Sequence, residues 1–427
     1  MISLIILIIF YVTFPVFLIW LTRKSSFFKK LGAIVLAYAL GILLGNIGIL
    51  PRGSEAFHDI LISSHQDFIP KSEIGELVAD GTLVGRDVIA NNVLTIQQSV
   101  LTVIIPLAIP LLLFSLNIRR WLRYAGKGFL SMALALISVV VIVVSGFYIF
   151  RDSVTECSKI AGLLVGVYTG GTPNMAALSL ALDVDPTSFI VATTYDMMVG
   201  AITLLFFLTV GPTFFRWLLP AFKHRNSENV DAEKAGQEVS GEFDDFSGMF
   251  KKGTLVPLLG AMGVAIIIFA VGAGVSMLLP AVPAMVSVIL TITTLGIAAS
   301  FIPSINRIKK TFQLGMYLII AFSLIVASMS DLSVMLQVKY LNLFLYVTWA
   351  YFGSLFLHLF LSWIFRVDAD DCLITTTGMI YSQPFVPAVA AALKNKDVIL
   401  TGLATGIIGY VLGNYMGVAI GMWLGYL

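Results

Sequence analysis

The chain has 427 residues, 58% of them hydrophobic and 12% charged, with a formal net charge of +2. Apolar runs of about 20 residues recur from end to end, the pattern of a polytopic all-α membrane protein in contact with the lipid bilayer. No nucleic-acid partner is expected, though the net charge itself says nothing about one, since what matters is where the positive residues sit; two cysteines, Cys157 and Cys372, exclude a disulfide scaffold.

In chain order, Ile2–Leu21 is the first predicted span. Met1 leads straight into it without a basic segment, and Arg23 and Lys24 follow it, as in a retained anchor. With Lys29 and Lys30 they put its C-terminal end in the cytoplasm and the N-terminus outside. No transit peptide is visible, so the expected location is a bacterial cytoplasmic membrane. Leu31–Ile49 returns outward. Pro51–Asn92 is a polar external loop with a surface helix over Glu76–Ile89. Val93–Ile118 crosses inward, bent by Pro106 and Pro110, to Arg119, Arg120, Arg123 and Lys127. Phe129–Phe150 goes outward.

The next segment, Lys159–Leu182, is broken by Tyr168-Thr-Gly-Gly-Thr-Pro-Asn174. Gly170 and Gly171 loosen the backbone, and Pro173 removes a donor and disfavours helix at the residue before it. Thr172 as N-cap and Pro173 at the first helical position restart a helix. Each arm has about ten residues, roughly 15 Å of helix and half of a ~30 Å bilayer core. The expectation is therefore a re-entrant hairpin from outside. Ser188–Val210 then crosses inward and leaves Arg216, Lys223, His224 and Arg225 in the cytoplasm. Residues 223–252, acidic at their centre, read as a cytoplasmic linker.

The second half repeats the plan. Thr254–Leu279, Pro283–Ile302, Phe312–Leu332 and Tyr340–Phe365 are spans. Ile374–Leu393, broken at Tyr381-Ser-Gln-Pro-Phe-Val-Pro387, is a second hairpin, from the cytoplasm. Val398–Leu424 exits, with the C-terminus outside. That gives about ten spans and two hairpins, in repeats over 1–222 and 253–427. A shift of 211 residues lays Pro173, Ala177, Ala181 and Leu182 on Pro384, Ala388, Ala392 and Leu393. With an odd number of spans per half, the repeats are inverted, as in secondary transporters with broken helices near the midplane.

Polar residues at the breaks and inside spans are the candidate sites. Gly170, Gly171, Thr172, Pro173 and Asn174, with Ser382, Gln383 and Pro384, are expected to hold substrate, an anionic group resting on half-helix donors. Asp196, deep in a span, costs about 2.5–3.5 kcal/mol to insert and so should meet a cation, a proton or a hydroxyl. With Thr193, Thr194 and Asn414 it is the expected Na⁺ site, H⁺ being the alternative. The glycines around Asn414 also suit close helix packing. Asn117, Ser328, Ser330, Asp331, Gln97 and Gln98 are weaker candidates. His58 and His65, with Asp59 and Asp67, read as a solvated loop rather than a metal site, and His358 stands alone in a span.

At the two hairpins and in Ile105-Pro-Leu-Ala-Ile-Pro-Leu-Leu-Leu-Phe114 and Gly406-Ile-Ile-Gly-Tyr-Val-Leu-Gly-Asn-Tyr-Met-Gly417, the chain resembles the YjcL family, bacterial membrane proteins catalogued as a domain of unknown function. That family is similar, at a distance, to sodium-coupled glutamate, 2-hydroxycarboxylate and bile-acid symporters. The resemblance implies paired inverted repeats, a mobile core carrying both hairpins, a dimerising scaffold, and Na⁺ or H⁺ coupling. One departure is Phe385, which narrows a turn where a Gly-rich stretch is expected. The reading is a secondary active transporter of a small organic anion or zwitterion, working as an elevator in a homodimer. A substrate-gated sensor or channel on the same fold is the alternative. An enzyme is disfavoured, because Gly-x-Ser-x-Gly, His-Glu-x-x-His and paired intramembrane aspartates are all missing.

Overall fold

The computed structural model describes residues 2–24, 28, 32–54, 56–57, 60–61, 68–115, 128–222, 245–249, 251–329, 340–381, 385–395 and 397–427. The described residues form helices and no strands: α1 (Ile2–Lys24), α2 (Ala33–Asn46), α3 (Lys71–Ala79), α4 (Gly85–Phe114), α5 (Gly128–Phe150), α6 (Cys157–Gly170), α7 (Thr172–Ala181), α8 (Pro186–Leu208), α9 (Gly211–Leu218), α10 (Lys252–Leu278), α11 (Ala284–Ser300), α12 (Pro303–Asn306), α13 (Thr311–Met329), α14 (Leu341–Ile364), α15 (Ala369–Ile380), α16 (Val386–Ala392) and α17 (Ile399–Gly425). Among the described residues, eight helices are long and apolar enough to cross a membrane: α1, α4, α5, α8, α10, α13, α14 and α17. Two further expected spans, α2 and α11, have 14 and 17 residues.

The chain divides into two compact units. The first comprises Met1–Ile105 and Tyr317–Gln337. Gln97 of α4 donates to Tyr11 of α1 at 2.8 Å and to Ser328 of α13 at 3.0 Å, while Tyr11 and Ser328 bond each other at 2.7 Å. These three polar side chains are thus satisfied inside the helix packing. Ser330 and Asp331 lie outside the described residues, as do His58, Asp59, His65 and Asp67.

The expected helix Glu76–Ile89 is not continuous. Asp80 and Gly81 turn the chain after α3, with Gly81 at φ +81°, and α4 starts at Gly85 rather than Val93. Asp87 explains the early start. Its carboxylate accepts the backbone N–H of Val84 at 2.9 Å and of Ser54 at 2.6 Å, closing the helix N-terminus and tying the loop to it. Asn91 pairs with both backbone groups of Ile69 at 2.8 Å. Phe57, Ile69, Ile74, Leu83 and Ala90 fill a small core beneath. The segment is a folded cap, not an open loop.

The second unit comprises Pro106–Met316 and Val338–Leu427. In it α5 packs on α14, α10 on α11, and α17 on both α6 and α15. Helix starts follow local chemistry. Asp185 caps α8 through Ser188 N at 2.8 Å with Pro186 next in line, and Asp368 caps α15 through Asp371 N at 2.8 Å. Of the linker, residues 223–244 and 250 lie outside the described residues. Its last stretch is tied down: Asp245 accepts from Lys310 at 2.9 Å and from Ser247 at 2.7 Å. Those bonds hold its carboxyl well below the usual carboxylate range, the Ser247 hydroxyl contributing most.

Candidate functional site

The first broken segment folds back on itself. Gly171 takes φ +81°, a conformation that favours glycine, and α7 restarts immediately. Gly171, not Thr172, occupies the N-cap position, and no side chain caps this end. Instead the Gly171 carbonyl receives the N–H groups of Asn174 and Met175 at 3.1 and 3.4 Å. Pro173 has no N–H to offer, so few backbone donors remain there for an anion. The arms run antiparallel, with Gly166 against Leu178 and Gly162 against Leu182. The open end is latched: Lys159 bonds Glu156 at 2.7 Å and the Asp183 carbonyl, and Glu156 accepts Asp185 N at 2.9 Å.

In the second broken segment two helices again follow one another. α15 ends at Ile380, residues 382–384 lie outside the described residues, and α16 returns. Ser382, Gln383 and Pro384 are therefore not located. Phe385 is 37% exposed and packs its ring against Tyr381, with centroids 5.8 Å apart. At the open end Asp370 accepts hydrogen bonds from Arg216 Nε and Nη2 at 2.9 and 2.8 Å and from the Asn395 amide at 2.8 Å. Arg216 also donates to the Leu393 carbonyl at 2.7 Å.

The two latches lie at opposite ends of α8. Asp185 precedes its first residue, and Arg216 follows its last. α17 reports the same opposition. Gly162 and Leu182, from the base of the first hairpin, pack on Gly421, while Ile374 and Val386 of the second pack on Gly402. Between them Thr169 of α6 and Met379 of α15 both come up to α17. The Thr169 carbonyl lies so close to Gly409 that a Cβ there would be 2.0 Å away, and Met379 approaches the same spot at 3.6 Å.

Asp196 of α8 lies near Tyr168 of the first hairpin, whose hydroxyl donates to the Val347 carbonyl at 3.5 Å. Tyr168 packs edge-on against Tyr351, whose hydroxyl bonds that of Tyr381 at the end of α15. Tyr381 in turn donates to the Gly200 carbonyl at 2.8 Å. A carboxylate of α8 is thus joined by tyrosines to both hairpins. Thr193 and Thr194 return their protons to Phe189 and Ile190 of their own helix at 2.7 and 2.8 Å. Asn414 bonds Thr293 of α11 at 3.3 Å. Asn174, fully buried, donates to the Tyr410 carbonyl at 3.0 Å. Among the described residues, no group of three or more His, Cys, Asp or Glu is arranged to hold a metal. A cation here would need neutral oxygens, and the buried Asn174 and Asn414 carbonyl oxygens have no protein donor.

Residues 83–427, which contain both hairpins, match the family described as "Protein of unknown function (DUF819)". The chain belongs to that family. It is also 24% identical over 338 residues to "Uncharacterized membrane protein YjcL" of Bacillus subtilis (strain 168), covering 77% of this chain and 83% of that one. The resemblance drawn from the hairpin motifs is the one found.

Two parts of this DUF819 protein escape sequence reasoning. Arg216 reads there only as a topology marker, yet it clamps the second hairpin through the short helix α9. The signal was Gly211-Pro212 opening an amphipathic turn after a long span. His358 is not alone: Thr376 lies 3.0 Å from Nδ1, Ser131 3.3 Å from Nε2, and Cys372 Sγ 3.9 Å from Nδ1. Those partners are 18, 227 and 14 residues away, beyond any local pattern.

Proposed function

We propose that this chain is a secondary active transporter of a small organic anion or zwitterion: a carboxylate, an amino acid or a small peptide. Transport is symport driven by Na⁺, with H⁺ as the alternative coupling ion, by elevator-type alternating access. The protein works as a homodimer in the bacterial cytoplasmic membrane, with both termini outside. The observation that carries this reading is the pair of broken helical segments, based at opposite ends of α8 and α17 and both packed near Gly409. α7 has 10 residues, about 15 Å and half a bilayer core. Non-helical backbone at that depth is tolerated only inside protein or along a wet cavity, and carriers use such breaks as their substrate and ion sites. In this reading Gly170, Gly171, Thr172, Pro173 and Asn174 face Ser382, Gln383 and Pro384 across the substrate. Asp196 couples ion to substrate, because its tyrosine partners come from both hairpins.

The test is uptake into proteoliposomes holding the purified full chain. A panel of labelled carboxylates, amino acids and dipeptides is offered with an inward Na⁺ gradient, an inward H⁺ gradient, or neither. Accumulation above the outside concentration under one gradient supports the carrier. Flux that only equilibrates, whatever the gradient, makes the protein a channel and removes the proposal.

A further inference from the structure

A cleft of about 630 Å³ opens between the end of α9 and the end of α14. Its walls are Leu218, Pro220, Trp363, Ile364 and Arg366, all in the second unit. The two sides are tied together: the Ala369 N–H, three residues past Arg366, donates to the Pro220 carbonyl at 3.0 Å. Small-molecule sites span roughly 300–1,000 Å³, so the cleft has room for a lipid headgroup.

The walls are apolar on one side and cationic on the other. Trp363 is 60% exposed, one residue before the end of the span at Ile364. Tryptophan at a span end favours the depth of the headgroups. Trp217, next to Leu218, is 78% exposed. Arg366, two residues past the span, is the one cation in the walls. It is exposed, and among the described residues its guanidinium has no hydrogen bond or ion pair. The backbone does not ask for arginine. At φ +55° Arg366 takes the left-handed conformation that closes α14, the Val367 N–H reaching back to the Ser362 carbonyl at 2.9 Å, and glycine is favoured there. The α14 dipole accounts for a cation at this end but not for the open apolar cleft beside it.

A guanidinium presents five N–H donors in a fork that matches a phosphate. A free phosphate would leave the apolar wall bare, whereas a phospholipid covers it. The walls hold no carboxylate to receive an ammonium, so a zwitterionic headgroup would leave its own cation unmatched. Basic pockets between spanning helices hold anionic headgroups for this reason. We infer that the cleft binds an anionic glycerophospholipid, its phosphate on Arg366 and its upper chain on Trp363, Ile364 and Leu218. The inference stands whether or not the chain is a carrier.

The test follows thermal unfolding of the purified full chain in neutral detergent against added dioctanoyl phosphatidylglycerol, dioctanoyl phosphatidylcholine or sodium phosphate. Phosphatidylglycerol should raise the midpoint saturably, and the other two should not. Arg366→Gln should weaken the apparent affinity for phosphatidylglycerol at least roughly tenfold, through loss of its charge-assisted contact. Arg366→Gly separates binding from folding. It suits the positive φ, so its midpoint without lipid should be at least that of the wild type, while its response to phosphatidylglycerol should vanish. It answers the question if Arg366→Gln does not fold. An equal response to phosphatidylcholine, a response to phosphate alone, or a full response in Arg366→Gly overturns the inference. So does a wild-type midpoint that phosphatidylglycerol leaves unmoved.

Discussion

Gly409→Ala should force α6 away from α17. The added Cβ would sit 2.0 Å from the Thr169 carbonyl oxygen and 3.1 Å from its carbon. Both neighbours are backbone, so no side chain can swing aside, and α6 or α17 must move by about 1 Å. Overpacking of this kind costs roughly 1–3 kcal/mol. Gly260 of α10 is the control, with nothing within 4 Å of its Cβ position. There alanine should gain about 0.5–1 kcal/mol from helix propensity. The two variants should therefore differ by roughly 1.5–4 kcal/mol. Thermal unfolding in detergent, read by tryptophan fluorescence, should show Gly409→Ala melting several degrees below Gly260→Ala. Equal midpoints would refute the close approach of Thr169 to α17.

Arg216→Ala should loosen the second hairpin. The Asp370 side chain is 2% exposed and loses a bidentate partner, but Arg216 is 43% exposed, so the loss should be nearer 1–3 kcal/mol than the 3–5 of a fully buried pair. Hydrogen exchange should speed up in 386–395 more than in 172–181. Asp245 should anchor its segment to Lys310 at every pH above its ordinary value of 3.8 and release it only as pH falls through its lower folded value. Proteolysis near 245–249 should accordingly be flat from pH 5 to 8 in the wild type and faster throughout that range in Asp245→Asn. Asp196→Asn should abolish gradient-driven uptake while changing the unfolding midpoint little, since it preserves shape beside Tyr168.

The sequence carried the helix breaks well, because Gly170-Gly171 and Pro173 act locally and alone. It carried the long spans for the same reason: an apolar run of that length has few other fates. It misplaced what depends on a partner. The start of α4 is set by Asp87 reaching Ser54, 33 residues back. The partners of Asn174 and Asn414 lie 236 and 121 residues away, so neither could be foreseen from spacing. The cap on α7 failed for a smaller reason. Thr172 suits an N-cap by type, but Gly171, at positive φ, brings its carbonyl round to the Asn174 N–H first.

The carrier reading rests on the hairpins opening to opposite faces of the membrane, and two-sided cysteine labelling tests that directly. Single cysteines at Asp185 and Lys394, in a chain otherwise free of Cys157 and Cys372, are exposed to an impermeant thiol reagent in intact cells and in inverted vesicles. Asp185→Cys should react only from outside and Lys394→Cys only from the cytoplasm. Reaction of both from the same face would contradict the account.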